Sequence, residues 1–337
     1  MRESLVSLGF DSADAGPKLG FGAASLGNLY RPMADATALA TLRSAFESGT
    51  RYFDTAPHYG LGLSESRLGT WLASGVPREE IVISSKVGRV LDPNPHYTGQ
   101  LDDEGFAVPA TTRRRWDPSE AGIRASIESS LTRMGTDHLD IAFLHDPDAY
   151  DLEAGISQAL PVLESLRAEG LIKAIGVGTN SARSAAVCVR RSDIDLVMLA
   201  GRFTLLEQPA AGELLPLCLE RSVGVVNVGV YNSGLLASAR VPGDANYNYA
   251  PAPGHILERA RALARTAEEF GTDLPTAAIH FAARHPAIVS VLLGASSPEQ
   301  VRVNAQRAAA PVNDSLWDAL AERGLLDASP GDPEPGA

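Results

Sequence analysis

Four ionisable side chains stand where short apolar runs end. Asp54 closes Arg51-Tyr52-Phe53-Asp54, and Tyr59 follows five residues later. Lys86 ends a second run, and His145 ends a third in Ala142-Phe143-Leu144-His145-Asp146. A free phenol ionises near pH ~10, too high for proton transfer at neutral pH, but a neighbouring ammonium favours the phenolate. An aspartate beside the lysine would keep it charged and fixed. A neutral imidazole would donate a hydrogen bond to a carbonyl oxygen. Such a set suits moving a proton on or off an oxygen while hydride moves at the attached carbon. It carries neither a nucleophile nor a metal, so the hydride carrier is expected to be a cofactor. Each residue alone reads more simply as a capping or solvated strand end. What favours chemistry is that one rim would gather all four around one cavity.

That rim requires a particular architecture. Near-continuous apolar runs at Leu19–Ala23, Tyr52–Asp54, Ile81–Lys86, Leu139–Leu144, Ile172–Val177, Leu196–Leu199, Val223–Val228 and Ile288–Leu293 read as strands covered on both faces. Amphipathic stretches alternate with them at Ala34–Ser48, Ser64–Ser74, Pro118–Arg133, Leu152–Glu169, Ser181–Arg190, Ala210–Arg221, His255–Phe270 and Pro298–Ala309. The series predicts an α/β protein, a single (β/α)8 TIM barrel over residues 1–327. Asp117-Pro118-Ser119-Glu120 and Ser297-Pro298-Glu299 read as helix starts with proline in the first turn, and Gly49, Gly75, Gly170 and Gly271 as helix stops. Long loops follow strands three (Gly88–Trp116) and seven (Gly229–Pro253), on the rim where barrel active sites form. The tail at 328–337, rich in Pro, Gly and acid, is expected to be loose.

Composition narrows the partners. The 337 residues carry 29 basic and 41 acidic side chains, a formal charge of −12, which argues against nucleic acid. A 45% hydrophobic and 21% charged mix is that of a globular protein rather than a disordered one. No run approaches the ~18 apolar residues of a membrane helix, and Met1–Phe10 does not read as a secretory signal. Two cysteines, Cys188 and Cys218, cannot build a disulfide framework, so a cytoplasmic location is expected. No feature sets an oligomeric state. A metal centre on Asp54, His58, His145 and Asp146 is not expected, because no close ligand pair sits on one helix.

Several stretches together resemble the aldo-keto reductase superfamily. They are Arg51-Tyr52-Phe53-Asp54-Thr55-Ala56-Pro57-His58-Tyr59-Gly60 with Ser64–Gly69, Ile83-Ser84-Ser85-Lys86-Val87-Gly88, Leu139–Pro147 and Leu292–Val301. The resemblance spans about residues 17 to 310. It implies a barrel that binds NAD(P) without a Rossmann domain, with Tyr59 as acid/base, Lys86 and Asp54 as its tuning partners, and His145 orienting the carbonyl. Ala56–Gly60 with Gly176–Asn180 looks like the sugar dehydrogenase branch, which oxidises a cyclic hemiacetal to a lactone. The implied substrates are aldoses such as L-fucose or D-threo-aldoses. Alternatives are a pyridoxal 4-dehydrogenase or aldehyde reductase on the same tetrad, a Schiff-base lyase using Lys86, or a non-enzymatic NAD-binding regulator.

The glycine patterns at Gly20–Ser25 and Gly176–Ser181 lack the third glycine and the acidic partner of a dinucleotide fold. Gly22 is expected near the nicotinamide. Gly294, Ala295 and Ser296 precede a helix whose amides suit a phosphate. The resemblance adds Gln300 to the cofactor site, Asn304 for the adenine, Asn180 for the carboxamide, and Tyr231 either to stack on the nicotinamide in place of Val228 or to face the sugar. Gly294 and Gln300 stand where NADP-preferring relatives carry basic residues, so NAD is expected over NADP. Arg302 reads as a solvated surface residue or a substitute phosphate ligand. His58, Trp116, Arg202 and Asn232 are candidates to face a sugar; Arg202 could instead pair with Glu207.

Overall fold

The computed structural model describes residues 2–10, 18–248 and 250–326. The expected tail at 328–337 and Tyr249 of the second long loop lie outside the described residues. Eight parallel strands close into a barrel: β1 (Leu19–Gly22), β2 (Tyr52–Asp54), β3 (Val82–Val87), β4 (Leu139–His145), β5 (Ile172–Thr179), β6 (Leu196–Ala200), β7 (Gly224–Val228) and β8 (Ile288–Gly294). β8 returns to β1, pairing Gly294 with Gly22, and β1 in turn pairs Gly22 with Asp54. The (β/α)8 expectation holds. β4, β5, β6 and β8 run one or two residues past their apolar stretches, because the ladder continues after the hydrophobic pattern stops.

Inside the barrel, Tyr52, Ile141, Phe143, Leu196, Met198, Val226 and Leu292 pack together. The helix Glu3–Ser7 brings Leu5 against them, and Leu8 and Phe10 follow it there. Most expected helices are present, with Ser297 capping Pro298–Ala309 as read. At the helix Glu120–Met134 Ser119 itself is the cap, accepting from the Gly122 amide, so Pro118 lies outside the first turn. The stretch from Leu152 to Ala168 is helical with one π turn, Gly155–Ala159.

Two differences matter. Between β7 and β8 the structure has two helices, Gly254–Glu269 and Leu274–Ala282, not one. The second is buried along almost its whole length and is nearly all apolar, so no broad polar face marks it as a surface helix. The loop after β3 is an ordered antiparallel hairpin, Arg89–Pro93 with Thr112–Trp116. Among the described residues no helix is long and apolar enough to cross a membrane. Trp71 and Trp317 are packing residues, and both cysteines are buried free thiols.

Helix Leu63–Leu72, which follows the Tyr59 loop, meets its neighbour at Gly69. A Cβ there would stand 2.7 Å from the Arg133 carbonyl oxygen and the Met134 Cα. Alanine gains up to ~1 kcal/mol of helix propensity, but overpacking costs roughly 1–3 kcal/mol. Gly69→Ala is therefore expected to lower the urea midpoint. A raised midpoint would show that the two helices can separate freely.

Candidate active site

The register of the barrel brings the tetrad together. Asp54 ends β2, Lys86 lies one residue from the end of β3, and His145 ends β4. Tyr59 comes from the loop after β2, and that loop is pinned. Its backbone crosses the turn at Gly27 so closely that a Cβ on Gly27 would stand 2.5 Å from the Tyr59 carbonyl carbon, and one on Gly60 2.3 Å from the Gly27 oxygen. Ser64 adds a bond to the Ala23 carbonyl at 2.8 Å and another, at 2.8 Å, to the Thr55 hydroxyl.

Lys86 Nζ donates to Asp54 Oδ2 at 2.6 Å and to the Thr55 carbonyl at 3.0 Å. It also lies 4.7 Å from the Tyr59 ring centroid. Asp54 and Lys86 are each only 3% exposed, so the ion pair is dry. Burial disfavours the ammonium, yet Asp54 and Tyr59 together raise the Lys86 pKa above its usual value. Asp54 and Tyr59 thus favour the charged form of Lys86 over the neutral amine that a Schiff-base lyase uses.

Burial raises the Tyr59 phenol above its usual value and outweighs the lowering by Lys86. The expected pull of the ammonium is present but does not dominate in the chain alone. The His145 imidazole is held well below its usual pKa by burial, then by Arg89 and Lys86, so it is neutral and keeps one ring N–H to donate to a carbonyl.

These residues line a cavity of about 270 Å³. His58, Asp146, Gly22, Asn180 and Gly294 also line it, with Met198, Ala200, Val228 and Leu292 as its less polar wall. Gly22 and Gly294 sit side by side, and a Cβ on Gly294 would stand 3.6 Å from the Gly22 oxygen. Two neighbouring positions without side chains leave a bare backbone surface on which a flat ring can lie. The site fits a nicotinamide cofactor on that ground.

Other cofactor expectations divide. Ala295 is buried, and its carbonyl accepts from the Ser25 hydroxyl at 2.5 Å. Gln300 folds back to accept from the Ser296 amide at 2.7 Å, while its own amide bonds Ser297 Oγ. Asn304 is buried and accepts from the Tyr231 hydroxyl at 3.1 Å. Tyr231 does not line the cavity; Val228 does. The Tyr231 hydroxyl anchors that side chain to Asn304 outside the cavity lining. Arg302 pairs with Glu299 at 2.7 Å, whereas Arg31, which the sequence reading missed, reaches the Ser296 hydroxyl at 2.8 Å.

Of the proposed substrate contacts, only His58 lines the cavity. Trp116 stacks on Tyr150 at 5.0 Å, as part of the hairpin wall. Arg202 bonds the Asn180 carbonyl at 2.7 Å and pairs with Glu207 at 3.2 Å. Asn232 also donates to Glu207, at 3.0 Å. Arg202 and Asn232 therefore brace the Asn180 loop rather than reaching the cavity.

The hairpin contributes a charge network that the sequence reading did not assign. Arg89 donates to Asp146 and, at 3.2 Å, to His58 Nδ1. Arg114 holds Asp102 with both amino groups, at 2.6 and 3.0 Å, and the His58 carbonyl at 2.9 Å. Arg113-Arg114-Arg115 lies on a strand, so the middle residue alone turns inward. A guanidinium only donates, so His58 Nδ1 must accept and Nε2 must carry the proton. Burial, with Arg89 and Arg114, lowers the His58 pKa to about 2. His58 is a neutral imidazole in a fixed tautomer.

Comparisons with known proteins place the chain in a family. The model of the aldo/keto reductase family matches residues 18–323. The chain is 46% identical to the D-threo-aldose 1-dehydrogenase of a Pseudomonas species over 312 residues, covering 92% of this chain and 94% of that one. It is 36% identical to the pyridoxal 4-dehydrogenase of Microbacterium luteolum, over 91% and 94% of the two chains. A solved aldo-keto reductase of Bacillus halodurans, in holo form, superposes with a TM-score of 0.74 at 26% identity, covering 94% of each chain. The chain belongs to the aldo/keto reductase family, oxidoreductases that act on CH–OH groups.

Proposed function

We propose that the protein is an NAD-dependent dehydrogenase. It oxidises the C1 hemiacetal of an aldose such as L-fucose or a D-threo-aldose to the lactone, with Tyr59 as general acid/base. The observation that carries this reading is Lys86, in contact with both Asp54 and Tyr59 at one cavity. The 46% identity to a D-threo-aldose 1-dehydrogenase supports the substrate class. So does the state of the nearby cations. Lys86, Arg89 and Arg114 are each committed to a carboxylate, which favours a neutral polyhydroxyl molecule over a phosphate or carboxylate.

Oxidation removes a proton from the C1 hydroxyl and a hydride from C1. The Tyr59 phenolate takes the proton, Lys86 stabilises that phenolate, and Asp54 keeps Lys86 charged. His145 donates a hydrogen bond to the sugar oxygen, and the Nε2 proton of His58 serves a second oxygen. A bound nicotinamide supplies the hydride acceptor. Gly22 and Asn180 would hold its ring end, and Gly294, Ala295, Ser296, Gln300 and Asn304 its phosphates and adenosine. Two buried thiols suit a reducing compartment such as the cytoplasm.

Tyr59→Phe is expected to reduce kcat by about a thousandfold, within the ~100- to ~10,000-fold range of general acid–base catalysis, while nicotinamide binding by fluorescence survives. A panel of L-fucose, L-galactose, D-arabinose and pyridoxal, followed at the nicotinamide absorbance, tests the substrate. Full turnover by the variant, or activity on pyridoxal alone, would defeat this reading.

The base must be deprotonated, and burial raises the Tyr59 pKa. Oxidation is therefore expected to rise with pH from neutral into the alkaline range. A kcat profile falling over that interval would contradict the assignment.

The preference for NAD rests on Gly294 and Gln300, which offer no charge to a 2′-phosphate. The Michaelis constant for NAD is expected to be the lower one. The reverse order, with Arg31→Ala weakening NADP selectively, would assign the phosphate to Arg31 instead.

A further inference from the structure

Two hydroxyl groups lie behind Asp54, and neither residue lines the cavity. Ser84 faces Asp54 across the β2–β3 ladder and is fully buried. Its Oγ donates to Asp54 Oδ1 at 2.7 Å. A serine hydroxyl has one proton. In the adjoining contact, 2.9 Å from Tyr52 OH to Ser84 Oγ, the tyrosine must therefore be the donor. The row is directional, from Tyr52 to Ser84 to Asp54 Oδ1, with Lys86 on the other carboxylate oxygen at 2.6 Å. Every contact along it favours the anion. The surroundings of Tyr52 are apolar, including Phe10, Ile141, Phe143 and Leu292, so phenylalanine packs there with no polar group to satisfy, whereas alanine at Ser84 leaves the Tyr52 hydroxyl without its acceptor, a defect the double variant removes.

In so dry a place the charged pair competes with its neutral form, in which Lys86 has passed a proton to Asp54. We propose that Tyr52 and Ser84 are positioning residues that keep Asp54 and Lys86 in the charged form, and through Lys86 set the ionisation of Tyr59. The proposal rests on the reading of Tyr59 as the acid/base. The charged groups facing Tyr59 are Lys86 from β3, Asp54 from β2 and Asp146 after β4, beside the neutral imidazoles of His58 and His145; Tyr52 itself also faces Asp140. Removing either hydroxyl removes none of the other titratable groups.

The test uses Ser84→Ala, Tyr52→Phe and the double variant. Two readouts are taken: kcat against pH for sugar oxidation, and the phenolate absorbance titration of the enzyme without cofactor. The Tyr59 step in that titration is identified by its loss in Tyr59→Phe. In Ser84→Ala both the acid limb and the absorbance step are expected to move up by roughly half to one pH unit, the worth of one hydrogen bond. The Michaelis constant for the sugar stays unchanged. Tyr52→Phe shifts the profile less, and the double variant no further than Ser84→Ala, because Tyr52 acts only through Ser84. Superimposable profiles in folded variants would overturn the proposal. So would a Tyr52→Phe shift that persists in the Ser84→Ala background. If Ser84→Ala does not fold, the near-isosteric Tyr52→Phe decides by its own titration. If Tyr59→Phe keeps full turnover, the acid–base reading fails, and the absorbance titration still decides whether Ser84 governs the phenol. An inactive Tyr59→Phe with unmoved profiles would sink the positioning role alone.

Discussion

Everything at this site follows from keeping one ion pair dry. Stripping water from a carboxylate and an ammonium costs on the order of several kcal/mol per ion, recovered only when geometry is good and the remaining valences are filled. Asp54 and Lys86 meet both conditions. They come from adjacent strands, and Ser84 and the Thr55 carbonyl occupy the positions that water would take. A closed barrel suits this task because adjacent strands cannot slip without opening the whole ring.

Moving outward from that pair, the charges alternate and cancel. Arg89 meets Asp146, and Arg114 meets Asp102 with Glu104 beyond it. The result is a charge-compensated collar around two imidazoles. Burial and that collar together keep His58 and His145 uncharged, so both can offer a proton to an oxygen without losing it. Polarity here comes from oriented donors rather than net charge.

The barrel was legible because strands covered on both faces leave continuous apolar runs. The tetrad was legible because its members end those runs. Other parts left weaker traces. Helix Leu274–Ala282 is covered on nearly every side, which removes the broad polar face by which surface helices are read. Tyr231 and Val228 could be told apart only by the path of the loop after β7. Arg31 and Ser296 are 265 residues apart, and only barrel closure makes them neighbours. The inward turn of Arg114 depends on a hairpin register that three consecutive arginines cannot reveal.

The hairpin after β3 leaves and re-enters the barrel at one place. The Asp117 amide bonds the Gly88 carbonyl at 2.9 Å, and Trp116 lies over Gly88. Residues 89–116 thus form a cassette clasped at its base. Such a unit can drift, lengthen or be exchanged while the strands that carry the proton chemistry stay put. Because Arg89 and Arg114 of that cassette reach Asp146 and the His58 carbonyl, exchanging it would retune the two imidazoles without breaking the barrel ladder.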